Sequence, residues 1–467
     1  MTFDLVALNG TIVTPRERRR ADLGISGGRI AVVASPGQLT GALSRDSLDA
    51  AGLVILPGLI DEHVHLYDPG WPEWEDFPSG TRAAAAGGVT TILEMPNSVP
   101  ATDSGERLAA RRRAVERRAI VDFGLYGGLG ASNPNAALGL AAAGAIAFKT
   151  FRVQALPGSE KARLEGGVRA AEPADMLERF RESAPTGLPH AVHVEDDRLG
   201  RYFTAKAQAE GKNRPEHHNL GRPELCEIVS AAETLSLARE ARARVHLVHM
   251  SSPDAVVLSA RRRAEGQPIT VETCPQYLLF SSEDMARFGP WGKVHPPLRS
   301  PESRDRLWEF VNDGSIDAIA TDHAPYAADE KARHPDDIWK TPAGHPGLET
   351  MLPGLLTQVN AGRLSLERLV ALTSENPARI FGLYPRKGAI RPGADADLAV
   401  VDLAQERVLH AGDGFSQARA TARWFDGVTV RGVPVMTLVR GTVVYRQGEV
   451  LVEPGHGRFL RGVGVVS

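Results

Sequence analysis

The sequence predicts an α/β protein: a (β/α)8 TIM-like barrel with a small β-sandwich domain formed by both termini. Three observations carry this. Both ends of the chain are built from short, glycine-broken alternating segments, Leu5-Val-Ala-Leu-Asn-Gly-Thr-Ile-Val near the start and Val435-Met-Thr-Leu-Val-Arg-Gly-Thr-Val-Val-Tyr near the end. Between them, apolar β-branched segments alternate with longer helix-like stretches, the pattern of a parallel sheet. Eight such segments occur over a length that suits a barrel with insertions.

The eight strands are read at Val54–Leu66, Val89–Met95, Val121–Gly128, Ala145–Phe151, His190–Glu195, Val245–Met250, Ile269–Leu278 and Ile316–Thr321. Ser79-Gly-Thr-Arg-Ala-Ala-Ala-Ala-Gly-Gly reads as an alanine-rich helix closed by glycine, between the first two strands. Ala328–Gly347 reads as a long loop after the last strand, the place where barrels build their sites. The small domain is assigned to residues 1–56 plus 387–467 and the barrel to 57–386.

Composition narrows the function classes. The 467 residues carry 24% charged side chains and a net charge of −3. The arginine clusters Arg16–Arg20, Arg111–Arg113 and Arg261–Arg263 have acids nearby and are read as solvated faces, so no nucleic-acid partner is expected. No run of about 18 apolar residues marks a membrane span. The start, Met1-Thr-Phe-Asp-Leu-Val, has neither the basic nor the apolar region of a secretion signal. Only two cysteines occur, Cys226 and Cys274. A reduced, cytoplasmic setting is therefore expected.

The residues with chemistry fall at strand ends. His63 and His65, two apart on the first strand, point to one face at its carboxyl end. Lys149 ends the fourth strand among apolar neighbours, where a lysine is costly unless paired or modified. His193 ends the fifth, His249 the sixth, and Asp322 follows the eighth. His246, three residues before His249, faces the other way and is read as structural. Each residue alone has a bland explanation as hydrogen-bonded packing; six together at five strand ends do not. Imidazoles and a carboxylate suit zinc or a similar divalent ion, and two such ions can polarise a carbonyl. An anionic bridge between them is missing from this set, and Lys149 carboxylated by CO2 would supply it.

These residues sit in Pro57-Gly-Leu-Ile-Asp-Glu-His-Val-His, Phe148-Lys, Val192-His, Val248-His, Asp322-His-Ala-Pro, Gly347-Leu-Glu-Thr and Gly393-Ala-Asp-Ala-Asp-Leu. With these motifs the chain resembles, over nearly its whole length, the cyclic amidase branch of the amidohydrolase superfamily, which holds allantoinase, dihydroorotase and the hydantoinases. The resemblance implies two divalent ions, zinc expected. His63 and His65 would hold one with Asp322, His193 and His249 the other, and carboxylated Lys149 would bridge them. Asp322 would take a proton from the attacking hydroxide and pass it to the leaving ring nitrogen. A small cyclic ureide as substrate and a homo-oligomer, a tetramer, follow from the same resemblance.

The ring is read from finer features. Asp68-Pro-Gly-Trp-Pro-Glu-Trp-Glu-Asp-Phe-Pro looks most like allantoinase, which opens allantoin to allantoate in purine catabolism. Tyr67 stands where dihydroorotase usually has a carboxylate-binding arginine, although Asn97 in Met95-Pro-Asn fits dihydroorotase. Gln154 stands where dihydropyrimidinase and D-hydantoinase usually have tyrosine. Other segments, including Ala155-Leu-Pro-Gly, resemble L-hydantoinase-type enzymes. Tyr67, Asn97, Gln154, His295 and Gly347 are the candidate substrate contacts; His295 reads equally as a rim residue. Arg152, Thr273, Pro275 and the backbone of Gly344–Gly347 are weaker candidates, and Trp71 and Trp74 read either as a lid or as a packed aromatic loop. The alternatives to allantoin are a hydantoinase or dihydroorotase-like cyclic amidase, and remotely a non-catalytic dihydropyrimidinase-related scaffold.

Overall fold

The computed structural model describes residues 2–153 and 167–464. Eight parallel strands close a barrel: β1 (Leu59–Val64), β2 (Val89–Glu94), β3 (Asp122–Leu125), β4 (Phe148–Phe151), β5 (His190–His193), β6 (Val245–Leu247), β7 (Ile269–Thr273) and β8 (Ala318–Ile319). Each pairs with the next in sequence; β3 passes its pairing to β4 through Gly127–Gly128. The ring closes where Val64 pairs with His323 and the His65 amide donates to the His323 carbonyl at 2.7 Å.

Both termini build one curled nine-stranded sheet. Its centre joins Val54–Pro57 to Leu398–Leu409 antiparallel and to Phe3–Val13 parallel. Leu5, Leu23, Ile30, Ile55, Leu398 and Leu438 pack across its inside. The larger core lies between barrel strands and outer helices, with Val89, Phe123, Phe148, Val192, Leu247, Leu307 and Leu355 among its members. After the terminal sheet, Phe459–Leu460 return to pair in parallel with β3. Among the described residues no helix is long and apolar enough to cross a membrane.

Three expected elements differ in detail. The apolar run Val54–Leu66 is two strands, one in each sheet, broken at Gly58. A Cβ there would come within 2.2 Å of the Thr90 side chain, so the chain can bend only with glycine. Ile269–Leu278 is strand only to Thr273; Pro275 then opens a short helix, Pro275–Leu279, from its first turn. The alanine-rich helix begins two residues earlier, at Phe77, because Asp76 caps it: the Asp76 carboxylate accepts from the Ser79 amide at 2.8 Å.

Candidate metal centre and active site

The carboxyl ends of the strands surround a cavity of about 950 Å³. His63, His65, His193, His249 and Asp322 line it together. His63 and His65 project from the end of β1. Their Nε2 atoms lie 3.3 and 3.5 Å from Asp322 Oδ1, and one donor atom from each of the three lies within 4.8 Å of the others. The His193 and His249 rings are 4.5 Å apart, and His249 is 5.2 Å from His63. Lys149, fully buried on β4, reaches up so that Nζ is 3.4 Å from His63 Nε2. All six residues expected from the sequence thus meet at one mouth.

Left-handed backbone aims three of the lining residues. Tyr67, His249 and Asp322 have φ of 55, 43 and 49°, conformations that cost non-glycine residues of order 1 kcal/mol and gather at functional sites. Hydrogen bonds then decide which ring nitrogen faces the cavity. The His63 Nδ1 position is 2.8 Å from Glu272 Oε1, which leaves Nε2 towards Lys149 and Asp322. His193 Nε2 is 2.9 Å from Glu195 Oε2, which leaves Nδ1. His249 Nδ1 is buried with no hydrogen-bond partner among the described residues. Asp61 braces the far side, accepting from the His63 amide at 3.2 Å and from the Thr321 amide and hydroxyl at 3.1 and 2.6 Å.

Electrostatics suit these groups to a cation. Burial, reinforced by Lys149, pushes the His63 imidazole down to about 4, and burial also lowers His193 and His249. All three are neutral at pH 7, the form that ligates a metal. Burial lowers the Lys149 ammonium to about 8, bringing the neutral amine that reacts with CO2 within reach near neutral pH. Neutral imidazoles with nitrogens turned inward, one carboxylate, and a buried lysine among them make a donor set that fits divalent metal. A second trio of buried acids, Asp122, Asp395 and Asp397, is different: Lys387 Nζ already fills it, 2.7 Å from Asp122 and 2.5 Å from Asp397.

The weaker expectations divide. Tyr67 lines the cavity, stacked on His65 at 5.5 Å and packed with Trp74 and Tyr326. Trp74 is therefore wall, with Trp71 stacked behind it at 5.2 Å. His295 also lines the cavity, stacked on His218 at 5.4 Å. Gly344 lines the cavity, but Gly347 sits behind it, where its amide donates to His323 Nδ1 at 3.2 Å. Asn97 is buried and not among the lining residues. Arg152 turns outward to Glu233 and the Ala171 carbonyl, and Thr273 donates to the Met250 carbonyl at 2.7 Å; neither they nor Pro275 line the cavity. Gln154 and Ala155-Leu-Pro-Gly lie outside the described residues.

The sequence reading missed Glu195, Glu272, Arg222 and Tyr326. The two glutamates had a signal: each is an acid inside an apolar strand segment, Ala191-Val-His-Val-Glu and Ile269-Thr-Val-Glu-Thr. Arg222 and Tyr326 sit in connecting segments and carry no comparable pattern.

The amidohydrolase family profile matches residues 54–444. An L-hydantoinase of Paenarthrobacter aurescens is 36% identical over 462 residues, 98% of each chain. An allantoinase of Rubrobacter xylanophilus is 38% identical over 462 residues, also 98% of each. A solved L-hydantoinase (dihydropyrimidinase) from Arthrobacter aurescens superposes with a TM-score of 0.93 at 36% identity, covering 98% of this chain and 100% of that one.

Proposed function

The chain belongs to the amidohydrolase family, and from that premise we propose that it hydrolyses the ring of a cyclic ureide, with allantoin, opened to allantoate, as the leading substrate. The observation that carries this reading is the convergence of His63, His65, Lys149, His193, His249 and Asp322 around one cavity mouth.

The family is metal-dependent. His63, His65 and Asp322 would hold one divalent ion, zinc expected, and His193 and His249 a second, with Lys149 carboxylated on Nζ between them. When bound, such a pair supplies Lewis acidity towards a ring carbonyl and a water of lowered pKa. Asp322 is the one carboxylate among the six, with Oδ1 at the cavity edge, and it would take the proton of the attacking water and return it to the ring nitrogen as the C–N bond breaks. Tyr67, Trp74 and Tyr326 give the ring an uncharged aromatic wall, and Gly344 brings backbone close to it. An imide edge, one N–H beside one C=O, matches such backbone.

The aromatic wall also favours a second reading, a hydantoin carrying an apolar substituent. It disfavours dihydroorotate, whose carboxylate would find no arginine at position 67. On the leading reading the enzyme acts in purine breakdown in the cytoplasm as a homotetramer.

The test is a panel of allantoin, 5-substituted hydantoins, dihydrouracil and dihydroorotate, assayed on metal-replete enzyme beside Asp322→Asn. Allantoin should give the highest kcat/KM, and Asp322→Asn should lower kcat by about 10²-fold or more while leaving the melting temperature near wild type. Preference for an aryl-substituted hydantoin would select the second reading. No turnover on any ring, with well under one metal per subunit, would return the chain to a scaffold role.

A further inference from the structure

Glu272 rises from the middle of the barrel on β7 and is fully buried. One of its oxygens does two jobs. Oε1 lies 2.8 Å from His63 Nδ1 and also accepts the backbone N–H of His249 at 2.8 Å. His249, whose amide makes the second contact, is itself held in a left-handed conformation, with φ of 43°. The other oxygen, Oε2, faces His246 Nε2 at 3.4 Å, and His246 Nδ1 is in turn 2.8 Å from Thr270 Oγ1. Thus β1, β6 and β7 are tied at one carboxylate.

We infer that Glu272 is a positioning residue that couples the two metal positions, because a single oxygen orients His63 of one and His249 of the other. The inference rests on the metal assignment proposed above. Glu195 offers the contrast: among the candidate ligands its carboxylate touches only His193, in the second position. Glu272 therefore governs both positions and Glu195 one. His246, read from the sequence as structural, becomes the prop that holds Glu272 in place.

The experiment is metal titration of the apoenzyme with Co(II), followed by the visible absorption of the bound ions and by calorimetry, for wild type, Glu272→Leu, Glu272→Gln and Glu195→Gln. Wild type should take up two ions per subunit. Glu272→Leu should weaken both binding steps, by about 10–100-fold each. Glu272→Gln, which keeps the shape and the acceptor oxygen, should restore most of that loss and still shift the absorption of both ions. Glu195→Gln should weaken one step and leave the absorption of the other ion as in wild type. If Glu272→Leu does not fold, the spectrum of Glu272→Gln decides: bands unchanged, or changed for one ion only, overturn the coupling. A wild type that binds fewer than two ions overturns the two-metal reading instead, and the two failures are distinct.

Discussion

Glu195 Oε2 stands between two donors, 2.9 Å from His193 Nε2 and 2.8 Å from Arg222 Nη1. Burial alone would raise this carboxyl, but Arg222 beside it and the bond to His193 outweigh burial and hold it at about 2. The carboxylate is charged throughout the working pH range and commits Nε2 of His193 as a donor, so that Nδ1 faces the cavity. Arg222→Met should leave Glu195 as a buried charge without its cation and loosen His193. Metal affinity should fall by about 10–100-fold, read as zinc per subunit after dialysis against a weak chelator. Unchanged zinc content would show that Arg222 does not act through Glu195.

Lys149 makes the opposite case, a buried cation that among the described residues faces no carboxylate in ion-pair range. Its ammonium lies 3.4 Å from His63 and 4.8 Å from the centre of the Phe151 ring. A bare charge in such surroundings is expensive, and carboxylation would convert it to an anion that metal neutralises. Lys149→Ala should lose metal and activity together, and acetate or propionate at high concentration should restore part of both. Full metal occupancy in the untreated variant would remove Lys149 from the bridge.

How much of this was legible in the sequence depends on what each residue answers to. His63 and His65 were legible because strand periodicity alone puts both on one face. His193, His249, Lys149 and Asp322 were legible because barrels place function at the carboxyl ends of strands, and the alternation of apolar segments located those ends. The break at Gly58 was hidden, since the segments on both sides are apolar and only the close approach of Thr90 forces the bend. Arg152 and Thr273 looked like lining residues because they lie near strand ends, Asn97 because Met95-Pro-Asn fits dihydroorotase, and Gly347 because it lies in the long loop after the last strand. Proximity along the chain does not say which way a loop turns, and Thr273 and Gly347 spend their polar groups on Met250 and His323. Glu272 stood out as an acid in an apolar strand, but its partners were hidden, because His63 and His249 lie 209 and 23 residues away.

Tyr67 gives a test of specificity. It is 1% exposed, stacked on the ligand candidate His65 and packed with Trp74 and Tyr326, so it meets whatever occupies the cavity next to the metal positions. Burial raises its hydroxyl well above the usual phenol range, followed by the neighbouring Tyr326, so Tyr67 stays neutral at any working pH. Tyr67→Arg should place a cation there. The ratio of kcat/KM for dihydroorotate to that for allantoin should rise by at least about tenfold, the worth of one charge-assisted hydrogen bond. An unmoved ratio would mean that position 67 does not read the exocyclic group.

The buried histidines outside the metal centre set the acid limit of the fold. His190 lies inside the barrel wall, with Nε2 2.8 Å from Thr150 Oγ1 and Nδ1 2.9 Å from Ser183 Oγ. Burial, aided by nearby Arg179, lowers its imidazole to about 3, and burial does the same to His218 and His345. The unfolded chain takes up a proton at each below about pH 6.5, while the folded chain refuses it until about 3. The folded state therefore has its full stability above 6.5 and loses it as pH falls through that window. By pH 5 each such histidine costs roughly 2 kcal/mol. His190→Asn loses two hydrogen bonds and should be less stable than wild type at pH 7.5. The gap between the two, measured by urea unfolding, should shrink by about 2 kcal/mol at pH 5, because the variant has no imidazole to protonate when it unfolds. A gap of constant size across that range would show that His190 titrates alike in the folded and unfolded chains.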